Sequence, residues 1–343
     1  MRVLTLRELN RATLARQLLL ERRRMPVTRA IERLAGMQAQ WPPSPYIGLW
    51  TRIDGFRRET LERAILRGDV VKATVMRSTL HLVSRRDYAP YWTALHDLPW
   101  GDAETRTRAE ELVPVLAELA QQAEVTLKDV VAHLMQRHDV HDELQARRIW
   151  HRARTLLHMH HAPRTALWTN RPEAVYTRVD TTEELDSLAA LTHVVHAYLA
   201  AFGPATRADV AEWSGLRVRD FEPALEALEP LQRFRNEEGK ELLDLPRAPL
   251  PSADTRVPVR FLPKWDNLLL AHADRRRVLG DEHRKKIIVK NGDVTQTFLV
   301  DGVVAGMWRA EGGRVLIEPL VPLSRTARQD VEDEAARLAA WLR

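Results

Sequence analysis

The chain of 343 residues is predicted to be an α+β protein of three tandem winged helix-turn-helix units followed by a C-terminal antiparallel β-barrel. Two patterns carry that expectation. A unit of helix, turn, helix and two alternating strands recurs three times, and after about Pro251 the texture changes to short strands separated by turn dipeptides.

The clearest unit spans Pro204 to Pro246. Thr206 and Asp209 form a capping-box-like pair ahead of Val210 and Trp213, and Ser214-Gly215 breaks the helix. Val218, Phe221, Leu225 and Leu228 then fall on one face of a second helix. Leu231 to Arg235 and Glu241 to Leu245 read as strands across a polar loop containing Gly239. The preceding unit repeats the cap spacing with Thr126 and Asp129, continues in a basic helix from Asp142 to His158, and closes with a hairpin of Thr165–Thr169 and Ala174–Val179 around Asn170-Arg171-Pro172. The first unit is more spread out. It has helices at Pro26–Leu34 and Glu59–Leu66 and a hairpin of Val70–Met76 with Thr79–Val83, turning at Arg77-Ser78. A long apolar helix, Glu183 to Phe202, joins the second and third units and stops at Gly203-Pro204.

In the C-terminal part, strands are expected at Lys286–Val289, Thr297–Val300, Val303–Trp308 and Arg314–Pro319. Asn291-Gly292, Asp301-Gly302 and Gly312-Gly313 turn between them, and an antiparallel meander of this kind can close into a small barrel. A final helix starts near Ser324 with Val331, Ala335, Leu338 and Trp341 or Leu342 inward. The expected division is 1–100, carrying the first unit; 101–202, the second unit and joining helix; 203–250, the third unit; and 251–343, the barrel and last helix.

Composition sets outer bounds. With 45% hydrophobic and 29% charged residues the chain is neither disordered nor collagen-like. It has no cysteine, which excludes disulfides, thiolate-bound metals and a thiol nucleophile. No stretch approaches the ~20 apolar residues of a bilayer span, and Met1 to Arg11 lacks a signal-peptide core, so no membrane partner and a cytoplasmic location are expected. Arginine supplies 45 of the 52 basic residues, although the net charge is only +5. Its planar fork suits phosphate and guanine, but GC-rich coding produces the same bias. His158, His160 and His161, and His193 with His196, have ligand-like spacing without an evident third ligand, so no metal is expected. No Gly-rich phosphate loop appears, so no cofactor is expected either.

One segment resists a packing explanation: Gly36-Met37-Gln38-Ala39-Gln40-Trp41-Pro42-Pro43. Helical geometry would set Gln38 and Gln40 on opposing sides. Gly36 can end a helix, however, and Pro42 pushes Trp41 out of the α region, so the residues between are expected to be extended. Residues i and i+2 then face the same way and the two amides project side by side. Solvated loop glutamines are the alternative.

Several runs resemble the AlkZ/YcaQ-like winged-helix DNA glycosylases: Leu9 to Gln17, Gly36 to Gln40, Ser44 to Trp50, Met76 to Val83, Gly203 to Asp209 with Trp213 to Leu216, and Leu262 to Leu269. Each is weak alone and specific in combination, and together they cover essentially the whole chain. The resemblance implies tandem winged helices around a concave basic surface, and a monofunctional enzyme that excises alkylated bases from double-stranded DNA, including guanines cross-linked at N7. The family's catalytic motif, Gln, an apolar residue, then Gln or Asp, falls on Gln38, Ala39 and Gln40. Gln at its last position is closer to the AlkZ branch, associated with self-resistance to DNA-alkylating natural products. Where the family usually has Phe before an aspartate, this chain has Trp265 before Asp266.

The chemistry agrees with that implication. Glutamine has no useful pKa near neutrality, so such a pair orients water and dipoles and is no strong base. It suffices where the leaving group is already good, as in cationic N7-alkylguanine. Trp41 and Asp266 are candidate supporting residues, with capping of Asn267-Leu268-Leu269 the alternative for Asp266. Arg77 and Ser78 are candidate DNA contacts or solvated turn residues. Arg275, Arg276, Arg277, Arg284, Lys285 and Lys286 are candidate phosphate contacts or a solvated face. A monomer associated with the nucleoid is expected, without lyase activity, because no lysine neighbours Gln38 in sequence. A winged-helix regulator and a protein sequestering a genotoxin are the rival readings.

Overall fold

In a computed structural model, all residues are described except 100, 122–123, 169–173, 179–184 and 291. The N-terminal part contains β1 (Val3–Leu4), α1 (Leu6–Arg16), α2 (Val27–Arg33), β2 (Met37–Gln38), α3 (Pro43–Trp50), α4 (Arg58–Leu66), β3 (Val70–Thr74), β4 (Leu80–Ser84) and α5 (Arg85–Leu95). The next part holds α6 (Ala103–Leu119), β5 (Val125–Thr126), α7 (Leu127–Arg137), α8 (Glu143–Leu156), β6 (Met159–His161), β7 (Val175–Arg178) and α9 (Ser187–Phe202). Then come α10 (Arg207–Ser214), α11 (Val218–Ala227), β8 (Gln232–Asn236) and β9 (Glu241–Asp244). The chain closes with β10 (Arg260–Leu262), α12 (Asp281–Ile287), β11 (Thr297–Val300), β12 (Val303–Glu311), β13 (Arg314–Pro319) and α13 (Arg325–Leu342).

The architecture is α+β. Helix starts follow side-chain capping: Thr126 with Asp129 and Thr206 with Asp209 are both reciprocal capping boxes, each cap worth about 1 kcal/mol. Gly215 ends α10 in the left-handed conformation. The strands do not stay within their sequence units. The first and second hairpins merge into one six-stranded sheet of order β2-β4-β3-β6-β7-β5, joined across the middle by the pair Ala73 and His160. β8 and β9 take β1 as a third, parallel strand, so the N-terminus completes the third unit's sheet.

Three expectations are corrected. The second hairpin pairs β7 with Met159–His161, not with Thr165–Thr169; Pro163 starts a 3₁₀ turn whose Thr165 hydroxyl donates back to the Ala162 carbonyl at 2.9 Å. The turn expected at Asn170-Arg171-Pro172 lies outside the described residues, as do Thr169, Val179, Asn291 and the start expected for the joining helix at Glu183. Lys286 and Ile287 end α12 instead of opening a strand, and only Ile288 bridges, to Val294. Finally, the C-terminal strands form an open sheet, β10-β11-β12-β13, with no pairing that closes a barrel among the described residues. α13 supplies the missing cover: Val331, Ala335 and Leu338 pack with Phe261, Phe298 and Trp308, filling the apolar face of the sheet.

α1, which the sequence reading left without a structural role, ties the parts together. Arg16 makes a bidentate bond to Asp244 at 2.7 and 2.8 Å and donates to the Leu199 carbonyl, joining α1 to β9 and α9. Asn10 holds the carbonyls of Arg277 and Gly302. No helix among the described residues is long and apolar enough to cross a membrane.

Candidate active site

The segment carrying the two glutamines is extended. Left-handed Ala35 and Gly36 turn the chain out of α2 into β2, and a Cβ on Gly36 would stand 3.1 Å from Val83 and 3.3 Å from the Leu82 carbonyl. β2 pairs with β4, Gln38 opposite His81, and the Ala39 amide extends the ladder to Leu80 at 2.7 Å. Gln38 and Gln40 therefore point the same way, and Gln38 Nε2 donates to Gln40 Oε1. Gln38 is buried at 6% exposure, whereas Gln40 faces solvent.

The hairpin tip between β3 and β4 completes the arrangement. Arg77 and Ser78 both adopt left-handed backbone, a costly conformation for such residues, and the bend brings Arg77 back over β2. Arg77 Nη2 donates to Gln38 Oε1 at 3.1 Å and Nη1 to the Trp213 carbonyl at 2.6 Å. Gly215 makes the close approach of α10 possible, because a Cβ there would stand 3.3 Å from Arg77 Cα. Burial lowers the Arg77 guanidinium to about 10, so it remains a cation at neutral pH. Burial, with Arg77 nearby, holds His81 down at about 3. His81 is thus a neutral imidazole with no useful basicity.

A small, half-open crevice with room for little more than a water lies beside Gln38, lined also by Ser44, Lys264, Trp265, Asp266 and Asn267; folding thus brings one lysine near Gln38, with its Nζ paired to Asp293 at 2.8 Å. Arg52 binds both oxygens of Asp266 at 2.8 and 2.9 Å, and Asp266 Oδ1 also accepts from the Leu268 amide at 3.0 Å. Asp266 therefore caps the short Asn267–Leu269 turn and borders the crevice with its carboxylate already engaged. Asn267 donates to the Gly36 carbonyl at 2.8 Å, tying this segment to the entrance of β2. Trp41 is half-buried against the core between the C-terminal sheet and α13.

The basic cluster is not one surface. Arg277 is buried and donates to the Thr13 hydroxyl and the Pro204 carbonyl, both at 3.2 Å, so it is no DNA contact as the structure stands; its place is internal because α1 and Pro204 offer acceptors that sequence adjacency does not reveal. Arg275 pairs with Glu212 at 2.7 Å, and both stand near enough to Arg77 to shift its acidity. Arg276 is held by Asp274 and Glu238. Arg276 and Arg284 line a large groove with Arg207 and Lys240, in which six basic residues face six acidic ones, so this groove is not the expected basic concavity. Arg284, Lys285 and Lys286 are exposed on α12 with no carboxylate in ion-pair range among the described residues. Ser78 is buried, with its amide donating to the Val75 carbonyl.

His158 packs against Trp92 at 3.8 Å between centroids with the rings tilted by 36°, and His193 lies 3.2 Å from Asp87, a carboxylate the sequence reading did not supply. Among the described residues no group of three His, Cys, Asp or Glu is placed to hold a metal ion. Sequence reasoning did not single out His81, whose place opposite Gln38 follows from pairing between distant segments. It also missed Arg52, whose role needs the partner Asp266.

A glutamine pair of which Gln38 is buried and bonded to Arg77 while Gln40 is exposed, set beside a crevice in a mixed helix-and-sheet scaffold, can orient a water or a substrate dipole but is no strong acid or base. Residues 31–341 match the model of the DNA glycosylase AlkZ-like family. This chain belongs to that family and is a DNA glycosylase, an enzyme that binds DNA. It is 24% identical to an interstrand DNA cross-link repair glycosylase of Streptomyces sahachiroi over 94% of this chain and 93% of that protein. The solved structure of the Streptomyces sahachiroi DNA glycosylase AlkZ superposes with a TM-score of 0.81 at 23% identity, covering 99% of this chain and 96% of the other. Family membership sets aside the reading of a winged-helix regulator without enzymatic activity.

Proposed function

We propose that this enzyme is a monofunctional glycosylase for cationic N-alkylated purines in duplex DNA, chiefly N7-alkylguanine, including bulky or cross-linked adducts. The observation that carries the reading is the Gln38–Gln40 amide pair, with Gln38 oriented by Arg77 and the paired His81 held neutral by burial. A weak apparatus of this kind selects a substrate whose base already leaves well. In N7-alkylguanine the C1′–N9 electron pair passes to N9 and neutralises the imidazolium, so the base departs uncharged without a general acid. Gln38 and Gln40 hold a water on the opposite face of the sugar; its oxygen adds to C1′ and its proton passes to solvent. The Arg77 cation keeps the Gln38 carbonyl dipole fixed while oxocarbenium character develops at the sugar.

In this reading Arg284, Lys285 and Lys286 meet the phosphate backbone, Arg275 exchanges Glu212 for phosphate, Arg77 and Ser78 position the hairpin tip beside the lesion, Asp266 borders the crevice, and Trp41 supports the strand that carries the glutamines. Arg276 exchanges its carboxylate partners for phosphate. The segments 1–100, 101–202, 203–250 and 251–343 contribute successive walls of one DNA-binding surface. The enzyme acts as a monomer on nucleoid DNA in the cytoplasm. Its relative's name, a cross-link repair glycosylase, supports bulky lesions as substrates; a role in self-resistance to a genotoxin belongs to the same reading through the Gln-x-Gln motif of the AlkZ branch.

The test is the lesion spectrum of the purified protein. Duplexes carrying N7-methylguanine, uracil or no damage are incubated with enzyme and abasic sites are cleaved with alkali. The expected result is cleavage confined to the cationic lesion; equal release of uracil would overturn the reading. Retention of a free alkylating agent in the absence of DNA would instead favour sequestration.

A further inference from the structure

The six-stranded sheet is weakest where its two halves meet. Between β3 and β6 the ladder consists of one pair, Ala73 with His160, which sets Lys72 and His161 opposite each other one position along. α8 brings Arg154 to the same place, and β7 brings Tyr176 opposite His161. All four side chains are more than nine-tenths buried: Lys72 keeps 7% exposure, Arg154 7%, His161 8% and Tyr176 3%.

The polar atoms of this cluster are underused. Among the described residues, both ring nitrogens of His161 and Nε of Arg154 are enclosed without hydrogen-bond partners, and Lys72 makes neither a hydrogen bond nor an ion pair, its Nζ standing outside the set of fully enclosed atoms. Arg154 donates from Nη1 to the Tyr176 hydroxyl and from Nη2 to His151 Nδ1, both at 2.8 Å, and neither is an acid. Among the described residues no carboxylate contributes to the field at Lys72 or His161; what each meets there, besides burial, is other basic groups. Burial and Arg154 lower the Lys72 ammonium to about 8, and burial with Lys72 and Arg154 drives His161 well below the ordinary histidine range. Buried donors and cations without acceptors are rare in folded proteins because each costs its desolvation without a return. An anion would accept from these donors and offset the repulsion among the basic groups, though it too must be desolvated.

The cluster also connects to the glutamine pair. His151, held by Arg154, faces the backbone of Ser78, and Ser78 is followed back in the tip by Arg77, which holds Gln38. A group bound at the seam is therefore registered against the candidate active site through two residues of one hairpin tip.

We propose that the seam between β3 and β6 is an oxyanion site, formed by Lys72, Arg154, His161 and Tyr176, that takes a phosphodiester of the DNA backbone. This rests on the reading of the chain as a glycosylase acting on duplex DNA. Lys72 and Arg154 supply charge and donors, His161 donates one ring N–H, and Tyr176 donates the hydroxyl proton left free by accepting from Arg154. The contact fixes the DNA strand relative to Gln38 and Gln40 without reading sequence.

The test compares the wild-type protein with Lys72→Gln, Arg154→Gln and Lys72→Arg. Affinity for an undamaged fluorescent duplex is measured by anisotropy over a range of salt. Removing one phosphate contact is expected to flatten the slope of log K against log salt by about 0.9. Affinity should fall roughly tenfold in the two Gln variants and be restored by Lys72→Arg. A structural lysine would behave differently in a second measurement: Lys72→Met is expected to raise or leave unchanged the melting temperature of the DNA-free protein at pH 7, because it removes an unpaired buried ammonium. Unchanged salt slopes in both Gln variants overturn the proposal. So does a lower DNA-free melting temperature for Lys72→Met. If inorganic phosphate raises the melting temperature of the wild type but not of Lys72→Gln while DNA slopes stay equal, the anion is free phosphate and the DNA assignment falls. Normal base release by the wild type with unchanged slopes removes this site and leaves the glycosylase reading standing; altered slopes with no base release from any lesion do the reverse.

Discussion

Arg77 reaches Gln38 across the sheet edge: its Nη2 donates to the Gln38 amide oxygen at 3.1 Å while its Nη1 is locked to the Trp213 carbonyl at 2.6 Å. One guanidinium thus couples the glutamine strand, the first hairpin tip and the end of α10. Replacing Arg77 by Met is expected to lower single-turnover release of N7-methylguanine by roughly tenfold or more, since a charge-assisted bond contributes on the order of 1.5–3 kcal/mol. Arg77→Lys should recover little, because a single ammonium cannot span both acceptors. The check is the release rate at saturating enzyme, where weaker DNA binding no longer limits the signal.

The Arg52–Asp266 pair is buried on both sides, at 2% exposure each, and its geometry is bidentate. Asp266→Ala leaves an uncompensated guanidinium and is expected to destabilise the fold by about 3–5 kcal/mol. Urea unfolding measures it. A stable Asp266→Ala protein with abolished base release would instead make Asp266 a participant in the chemistry.

Gly36 sits at φ +86° with Val83, Met76 and the Leu82 carbonyl all within 3.3 Å of where a Cβ would lie. Gly36→Ala should cost about 1–2 kcal/mol from backbone conformation, with further loss from contact. Because the strained residue is two positions before Gln38, base release should fall more steeply than stability. Comparing melting temperature with single-turnover rate separates the two.

The pH profile should be flat in its middle. His81, held at about 3, and Arg77, lowered to about 10, do not change charge between roughly pH 5 and 8. Release at saturating enzyme should be constant there, because neither group beside Gln38 changes charge in that range. A bell-shaped profile centred near neutrality would reveal a general acid or base that this arrangement does not contain.

How far the sequence leads is clearest residue by residue. Gly36 before Gln38 and Pro42 after Gln40 mark the segment as extended, and the structure pairs it with β4 as that reading requires. Thr126, Thr206 and Ser324 mark helix starts because capping is a local interaction. What escapes is nonlocal. Nothing near Ala73 indicates that His160 will be its neighbour, so the merging of two wings into one sheet is invisible, and with it the seam that collects Lys72, Arg154 and His161. The arginine excess is likewise misjudged by composition. Arg11, Arg16, Arg52 and Arg277 are buried clamps on carbonyls and carboxylates between distant segments, a use that is neither coding bias nor DNA contact.

The central claim is that the glutamine pair performs the chemistry, and single-turnover release of N7-methylguanine from a duplex by Gln38→Ala and Gln40→Ala tests it most directly. Each variant is expected to bind DNA as the wild type does and to release the base roughly a hundredfold more slowly. Wild-type rates in both variants would contradict it.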